Sequence, residues 1–296
     1  QTQTNFYTPL SINATVFDDT DFVDQVMLSY RRYGQLSYTQ VPMNNMGQGL
    51  FGTVIPGETV GTSGVEYFIR AWDNYGLTGV SGFADSPHYV AALLDGTVIP
   101  GGELTDLIWT PANSPYYVTS DIFVGPGSTL NILEGCTIIF APGAGLEIQG
   151  GLNATGAIFD AQDPFMGWDG IFINGAQGQI LIQNCQVQHA VVGITFINSS
   201  GSVIDCNISK DAENNSFTGE AGVVIEGESS PVIDGLNISN YNAGIVIQNT
   251  DGANCSPTIS HIFIQVPPGQ ERSAGTGISV MGNVGLNLEE AEIAEY

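Results

Sequence analysis

Two basic residues in the second half of the chain, Lys210 and Arg272, have side chains suited to cleaving an acidic polysaccharide by β-elimination. That reaction needs a base at the proton beside a uronate and a cation or metal that neutralises the carboxylate. The two residues could fill these roles only if their loops fold together. A chain of net charge −25 would also repel a polyuronate. We therefore predict no catalytic residue and keep lyase activity at Lys210 and Arg272 as the alternative.

A set of acidic residues and one tryptophan occupies these two loops and a third loop at residues 160–169. The carboxylates are suited to calcium. The tryptophan either stacks on a sugar ring or packs as a buried edge. The predicted ligand-binding residues are Asp163, Trp168, Asp169, Asp211, Glu213 and Glu271.

A second enzymatic alternative rests on Asn249-Thr250-Asp251-Gly252, which resembles a signature of polygalacturonase-type glycoside hydrolases. Inverting hydrolysis needs a proton-donating acid and a second carboxylate as base. That family also carries an Asp-Asp pair, a Gly-His-Gly and an Arg-x-Lys farther on. None follows here, since His261 lies in Ser-His-Ile and no lysine follows Lys210. The four residues more simply form a turn, so the balance favours a protein without enzymatic activity.

The charge of the chain limits its partners. Thirty acidic residues face five basic ones among 296 residues. This field repels phosphate backbones and anionic membrane surfaces, so we expect no nucleic acid binding. No apolar run is long enough for a membrane helix, so we expect no membrane insertion. Divalent cations would be attracted, and calcium is possible at Asp18, Asp19 and Asp21, where a solvated acidic loop is the alternative. No other cofactor is expected, and the absence of a CxxC pair makes zinc improbable.

The second half of the chain is an internal repeat of glycine, apolar, any residue, apolar. A further strand pattern follows each copy, and the copies are 22 to 33 residues apart. Such a unit cannot bury its apolar face alone, so stacked units must share one core, as in a parallel β-helix. The copies begin at Gly145, Gly170, Gly193, Gly222, Gly244 and Gly277.

Alternation within the repeated strand assigns side chains to two faces. We predict inward columns that include Ile171, Ile194, Val223 and Ile245, with Cys185 and Cys206 stacked inside as packing thiols or as a disulfide. The outward residues Phe172, Val224 and Val246 are apolar, which reflects either β-propensity or an interface.

This region resembles the secreted, pectin-lyase-like right-handed β-helix proteins of bacteria over about 195 residues. The stretch from Gly101 carries the entry pattern, including Ile108-Trp109 and Pro115-Tyr116-Tyr117-Val118, which forms the first, capping coils in that family. The resemblance implies the fold. It does not select a function, because this scaffold hosts lyases, hydrolases, adhesins and structural proteins.

Residues 1–95 show short strands separated by turn signals, which suggests a β-sandwich. The segment from Val65 to Gly76 resembles the penultimate strand of immunoglobulin- and fibronectin-III-like modules, with Tyr67 as their corner tyrosine and Asp73-Asn74-Tyr75-Gly76 as the next hairpin. Such modules usually space, present or bind. The predicted fold is therefore all-β, with a sandwich over 1–95 and a right-handed parallel β-helix over 96–296.

Three longer repeat steps place extra residues at 160–169, 209–221 and 265–276, each just before the repeated strand. All three should leave the helix at one corner, where solenoids commonly bind ligands. The sequence ends just after a strand pattern, so the helix end would need more protein or another subunit to cover it.

We predict a secreted, non-catalytic structural or adhesive surface protein. We expect it to associate with itself, as filaments, or with other surface proteins, and a polysaccharide is a further candidate partner. The alternative is a carbohydrate-active enzyme or glycan-binding protein that uses the loop corner.

Overall fold

A computed structural model describes residues 3–5, 8–18, 22–61, 64–93, 95–105, 107–210, 219–249, 254–266 and 276–295. The chain divides into two compact units, Gln1–Asp95 and Gly96–Tyr296. Within the described residues the regular structure is β-strand, apart from two short 3-10 helices, Gly57–Thr59 and Pro111–Asn113. The all-β fold is confirmed.

The N-terminal unit has two sheets. One has the strand order β1-β9-β7-β3-β4 with β8 also paired to β7, and the other has the order β2-β6-β5. All these pairs are antiparallel except β1 with β9. The strands are β1 (Gln3–Asn5), β2 (Leu10–Thr15), β3 (Val23–Arg32), β4 (Thr39–Pro42), β5 (Asn44–Gly47), β6 (Leu50–Ile55), β7 (Val65–Asp73), β8 (Thr78–Ser81) and β9 (His88–Leu93).

Alternating side chains from both sheets of this unit form one core. Leu10 and Ile55 from the smaller sheet are buried in the same cluster as Leu28, Val65 and Val90 from the larger one. Two sheets over a shared core are the arrangement expected of a β-sandwich. The β7–β8 hairpin forms where the sequence indicates it.

The Asp73 carboxylate closes this hairpin. Its Oδ1 accepts hydrogen bonds from the backbone amides of Tyr75, at 2.9 Å, and Leu77, at 2.7 Å. Gly76 follows with a φ of +82°, which a residue with a side chain rarely adopts. The turn is therefore fixed by one aspartate and one glycine.

The C-terminal unit is a parallel β-helix built from three ladders. The chain runs repeatedly from ladder A to ladder C, then to ladder B and back to ladder A. Ladder C has eight strands, which corresponds to about seven turns. Its strands are β11 (Gly102–Glu103), β14 (Ile122–Val124), β17 (Gly145–Ile148), β20 (Gly170–Asn174), β23 (Val192–Ile197), β26 (Gly219–Glu226), β29 (Tyr241–Asn249) and β31 (Thr276–Gly282).

Ladders A and B merge at the last turns, where two long strands run through both of them. Ladder A contains β10 (Thr97–Ile99), β13 (Tyr116–Val118), β16 (Thr137–Phe140), β19 (Ile158–Ala161), β22 (Gln186–Gln188), β25 (Asn207–Ser209) and β28 (Asn237–Ser239). Ladder B contains β12 (Ile108–Trp109), β15 (Thr129–Ile132), β18 (Gly151–Thr155), β21 (Ile180–Gln183), β24 (Ser202–Ile204) and β27 (Val232–Asp234). The shared strands are β30 (Thr258–Val266) and β32 (Asn287–Glu295).

Inward side chains of ladder C stack in register along the helix axis. Ile171 pairs with Ile194, Ile194 with Val223, and Val223 with Ile245. All four are completely buried. Burying one such side chain contributes about 1.5–3 kcal/mol, and here each contact is shared between consecutive turns. The predicted aliphatic column is confirmed.

At three of the repeated strands, those of Gly193, Gly222 and Gly244, the glycine of ladder C is required by close packing against ladder A. A Cβ atom at Gly193 would lie 2.6 Å from the Ile208 side chain. At Gly244 it would lie 2.6 Å from Ile264 and 2.5 Å from the Gly277 carbonyl oxygen. Real carbon atoms do not approach so closely, so the glycine lets a buried isoleucine pack directly on the ladder C backbone.

At the corner from ladder B to ladder A, the chain changes direction at a single residue with positive φ. Asn184 and Asp205 have a φ of +53°, Gly235 of +68° and His261 of +49°. Asparagine, aspartate and glycine tolerate this region best. The residue after the corner points inward, which buries Cys185, Cys206 and Leu236.

Cys185 and Cys206 are free thiols in the core. The Cys185 amide donates to Cys206 Sγ at 3.4 Å, so the two lie on consecutive turns. The contact with Cys185, together with burial, raises the pKa of the Cys206 thiol. Of the two alternatives, the stacked packing thiols are the ones observed.

Replacing Gly244 with alanine should destabilise the β-helix by about 1–3 kcal/mol, because the added methyl group overlaps Ile264 and a backbone carbonyl. Gly145→Ala is the matched control, since a Cβ there meets its nearest neighbour at 3.4 Å, an ordinary contact. Urea unfolding followed by fluorescence of the buried Trp109 and Trp168 measures the difference. Equal unfolding midpoints for the two variants would contradict the packing argument.

Candidate functional site

The outer face of ladder C carries a cleft of about 290 Å³. Three outward residues of consecutive turns form its centre, since Phe123 pairs with Glu147 and Glu147 pairs with Phe172. Neighbouring parallel strands lie about 4.8 Å apart, so the two rings flank the carboxylate. The residues that line the cleft are Asp121, Ile122, Phe123, Gly145, Glu147, Asp169, Phe172, Asn174 and Ile197.

Glu147 is held in position by two amide side chains. Its Oε1 accepts hydrogen bonds from Gln149 Nε2 at 2.9 Å and from Asn174 Nδ2 at 3.3 Å. Because a neighbouring turn supplies Asn174, the carboxylate and the amide are presented side by side to a ligand.

A second pair of carboxylates lies at one side of the cleft, where ladder C begins. Asp121 Oδ1 accepts a hydrogen bond from the Gly145 amide at 2.9 Å, and the Asp169 amide donates to the Ala144 carbonyl at 3.0 Å. The strand containing Gly145 therefore lies between those that carry the two aspartates. Burial, and to a lesser degree the nearby Asp121 charge, raise the pKa of Asp169.

The space between these aspartates exists because residue 145 has no side chain. A Cβ atom there would lie 3.4 Å from Asp169 Cβ and 3.5 Å from Phe172 Cε2. A methyl group fits at this distance, whereas a larger side chain would fill the cleft.

The chemistry available in the cleft is that of ligand binding. Aromatic walls provide flat apolar surfaces, and the carboxylates and the amide provide directional hydrogen bonds. Among the described residues that line the cleft there is no lysine, arginine or histidine. The base and cation of a β-elimination are therefore not among them.

Two of the residues predicted from the sequence, Asp169 and Phe172, line this cleft. The other described acidic candidate, Asp163, turns back into its own loop, where its Oδ1 accepts from the amides of Phe165 and Met166 at 3.0 and 3.3 Å. Val224 and Val246 continue the outer column of Phe172 and are half-buried.

Of the two roles predicted for Trp168, the structure shows the buried one. It is completely buried, and its ring stacks on Phe140 with centroids 4.0 Å apart. Its Nε1 donates to the Gln188 carbonyl at 2.8 Å. The ring therefore offers no surface to a sugar. The loop thus inserts this side chain into the core just before it reaches Asp169.

The three longer connections all join ladder A to ladder C, which is the single corner that the repeat spacing predicts. Lys210 lies at this corner, half-buried, with Nζ 5.3 Å from the centre of the Tyr241 ring. Burial lowers its pKa to about 8. Lys210 does not line the cleft. Asp19, Asp21, Asp211, Glu213, Glu271 and Arg272 lie outside the described residues.

The cleft residues that sequence reasoning missed are Asp121, Phe123, Glu147 and Asn174. Glu147 could have been predicted to lie on the outer face, because it occupies the outward position of a recognised repeat. Phe123 belongs to Asp121-Ile122-Phe123-Val124, one turn upstream, where aspartate replaces the usual glycine. Extending the apolar alternation without requiring glycine would have found this turn.

No group of three or more histidine, cysteine, aspartate or glutamate side chains converges in the described parts of the chain. Asp18 is described, and no such group includes it. His189 Nδ1 lies 2.7 Å from Asp160, and the cysteines are buried in the core. The calcium site considered at Asp18 gains no support from the described residues.

A separate surface cluster joins three turns at the corner from ladder B to ladder A. His261 Nδ1 lies 2.7 Å from Asp234 Oδ1 on the preceding turn, and Nε2 lies 3.2 Å from Glu290 on the following turn. Ser260 also donates to Asp234 at 2.8 Å. The hydrogen bond with Asp234 and the charges of Asp234, Glu290 and Glu289 raise the pKa of His261, while Asp234 has a lowered pKa through its bonds with His261 and Ser260.

His261 should therefore titrate above its ordinary value of 6.5. Its contribution to stability is full below that value and is lost as the pH rises through the raised pKa. The contribution of Asp234 is lost as the pH falls through its lowered pKa. NMR titration of the His261 ring protons measures the pKa of His261 directly. Asp234→Asn should bring the His261 midpoint back toward 6.5, whereas Asp163→Asn should not. An unchanged midpoint in Asp234→Asn would refute the assignment.

Residues 116–262, just under half of the chain, match the sequence profile of a family described as periplasmic copper-binding protein (NosD). The range begins with β13 and ends inside β30. A curated relative, "Protein bark beetle" of Drosophila melanogaster, is 44% identical over 64 residues, which are 21% of this chain and 2% of that protein. The described residues contain no helix with the length and apolarity needed to cross a membrane. Over residues 116–262 this β-helix is therefore NosD-like.

Proposed function

We propose that this chain is a non-catalytic, adhesive β-helix protein of the cell envelope or the exterior, which holds a polysaccharide in the ladder C cleft. One observation carries the proposal: Phe123 and Phe172 flank the Glu147 carboxylate on three consecutive turns within a single cleft. Sugar rings have an apolar face and a rim of hydroxyls, and this alternation of ring and carboxylate matches both features.

The length of the cleft also suits a chain of sugars. Phe123 and Phe172 are two turns apart, or about 10 Å along the axis. This span is comparable with two linked sugar rings, so one ring could lie against each phenylalanine. The cleft is open on the outer face of a continuous ladder, which allows a long polymer to extend beyond it.

An envelope location is supported by the description of the matched family as periplasmic. The same description names copper, but the donors among the described residues do not fit that metal. Copper sites use histidine, cysteine and methionine ligands that converge. Here His189 and His261 each bind a carboxylate, and the thiols of Cys185 and Cys206 are sealed in the core.

The N-terminal unit would then act as a module that spaces or presents the β-helix. Its two sheets over one core support an immunoglobulin- or fibronectin-III-like assignment. Self-association of the chain is a further proposal, which sedimentation of the purified protein tests independently of ligand binding.

Phe172→Ala should weaken polysaccharide binding about tenfold, because a stacked ring contributes roughly 0.5–1.5 kcal/mol beyond its buried area. Isothermal titration with a panel of β-linked hexasaccharides (neutral, N-acetylated, amino and acidic) measures this. Val246→Ala is the matched control, since it lies three turns further along the same outer column. It should bind as the unaltered protein does.

Two results would overturn the proposal. One is the absence of binding to any member of the panel. The other is turnover of a hexasaccharide that Asp169→Asn abolishes, because an acid with a raised pKa beside a second carboxylate is also what a glycoside hydrolase needs.

A further inference from the structure

Resting on the proposed function, we infer that the polysaccharide held by the ladder C cleft carries free amino groups. Its positively charged nitrogen would occupy the space between Asp121 and Asp169 that Gly145 leaves open. The ligand class is thus a cationic amino-sugar polymer, rather than a neutral or a uronic acid polymer.

The charge of the lining residues favours this class. Three carboxylates line the cleft, Asp121, Glu147 and Asp169, and no basic side chain is among the lining residues in the described parts of the chain. A uronate would add another negative charge to this set. A neutral sugar would leave the like charges of the two aspartates uncompensated, whereas an ammonium group would relieve their repulsion.

The position of the gap is also suitable for an ammonium group. Asp121 and Asp169 lie just before the strands on either side of Gly145, and an atom at the Cβ position of that residue would meet Asp169 and Phe172 only at 3.4 and 3.5 Å. A nitrogen at this point would donate to both carboxylates, and such charge-assisted bonds are about twice as strong as neutral ones.

Phe172 adds a third contact at the same point. Its Cε2 lies 3.5 Å from the Cβ position of Gly145, so the ring borders the gap. A cation near an aromatic ring is attracted by the electrons of the ring. The same ring would support the sugar that carries the amine. A bare metal ion fits less well, because calcium needs six to eight oxygen ligands.

The test compares three β-1,4-linked hexamers by isothermal titration: glucosamine, N-acetylglucosamine and glucose, at a pH where the glucosamine amine is protonated. The full chain should bind the glucosamine hexamer at least about tenfold more tightly than either of the others. Asp169→Asn and Asp121→Asn should each remove most of that preference. Each variant is first checked for an unchanged circular dichroism spectrum and unfolding midpoint.

Substitutions at Gly145 provide a test that leaves every charge in place. Gly145→Leu should abolish binding of the glucosamine hexamer by filling the gap, and Gly145→Ala should weaken it less, because its methyl group takes up only part of the gap. If the glucosamine hexamer binds equally well to Gly145→Leu, the attraction comes from the diffuse negative charge of the chain and the inference is wrong.

The remaining outcomes separate the two proposals. Equal affinity for all three hexamers would overturn the amino-sugar inference and leave the polysaccharide-binding function standing. Binding of none of the three, and of no other member of the panel, would overturn both. A basic peptide that displaces the glucosamine hexamer and binds more tightly than it would overturn the choice of ligand class.

Discussion

The stacking of equivalent side chains in register is the constraint on which the β-helix depends. Each turn buries Ile171, Ile194, Val223 or Ile245 only because the next turn places an aliphatic group above it. One residue of slippage would turn each of these side chains outward. Gly193, Gly222 and Gly244 belong to the same constraint, since they let isoleucines of ladder A pack against the backbone of ladder C. Register, core and repeat therefore have a single physical origin.

The same register also determines how the outward side chains are arranged on the surface of the β-helix. Side chains at one outward position form a line about 4.8 Å apart, whatever their chemistry. In one part of this line the consecutive side chains are Phe123, Glu147 and Phe172, which form a cleft in which apolar and acidic groups alternate. Farther along it reads Thr195, Val224, Val246 and makes a smoother face. Binding here is thus a property of a few turns in an otherwise structural scaffold, and the loop before β20 contributes by delivering Asp169.

Much of this could be predicted from the sequence, and the limits have physical reasons. The inward columns, the stacked thiols and the shared loop corner follow from local alternation and repeat length. The sequence could not show whether Trp168 is buried or exposed, because an aromatic residue in an irregular loop belongs to no periodic pattern. The cleft was only half visible. Asp169 ends a predicted loop and Phe172 belongs to a recognised repeat, whereas Asp121 and Phe123 lie in a turn where aspartate replaces the glycine. The gap at Gly145 lies between Asp121 and Asp169, which are two turns apart. A local sequence pattern cannot predict that these two side chains come close together.

We propose that the protein binds its ligand along the outer line of ladder C, and not at the loop corner or in the interior. The decisive experiment is a crystal structure of the chain grown with a glucosamine hexamer. We expect sugar rings against Phe123 and Phe172, with an amine nitrogen within hydrogen-bond distance of Asp121 and Asp169. Sugar bound instead at the corner near Lys210, or along ladder A or ladder B with the cleft empty, would contradict it.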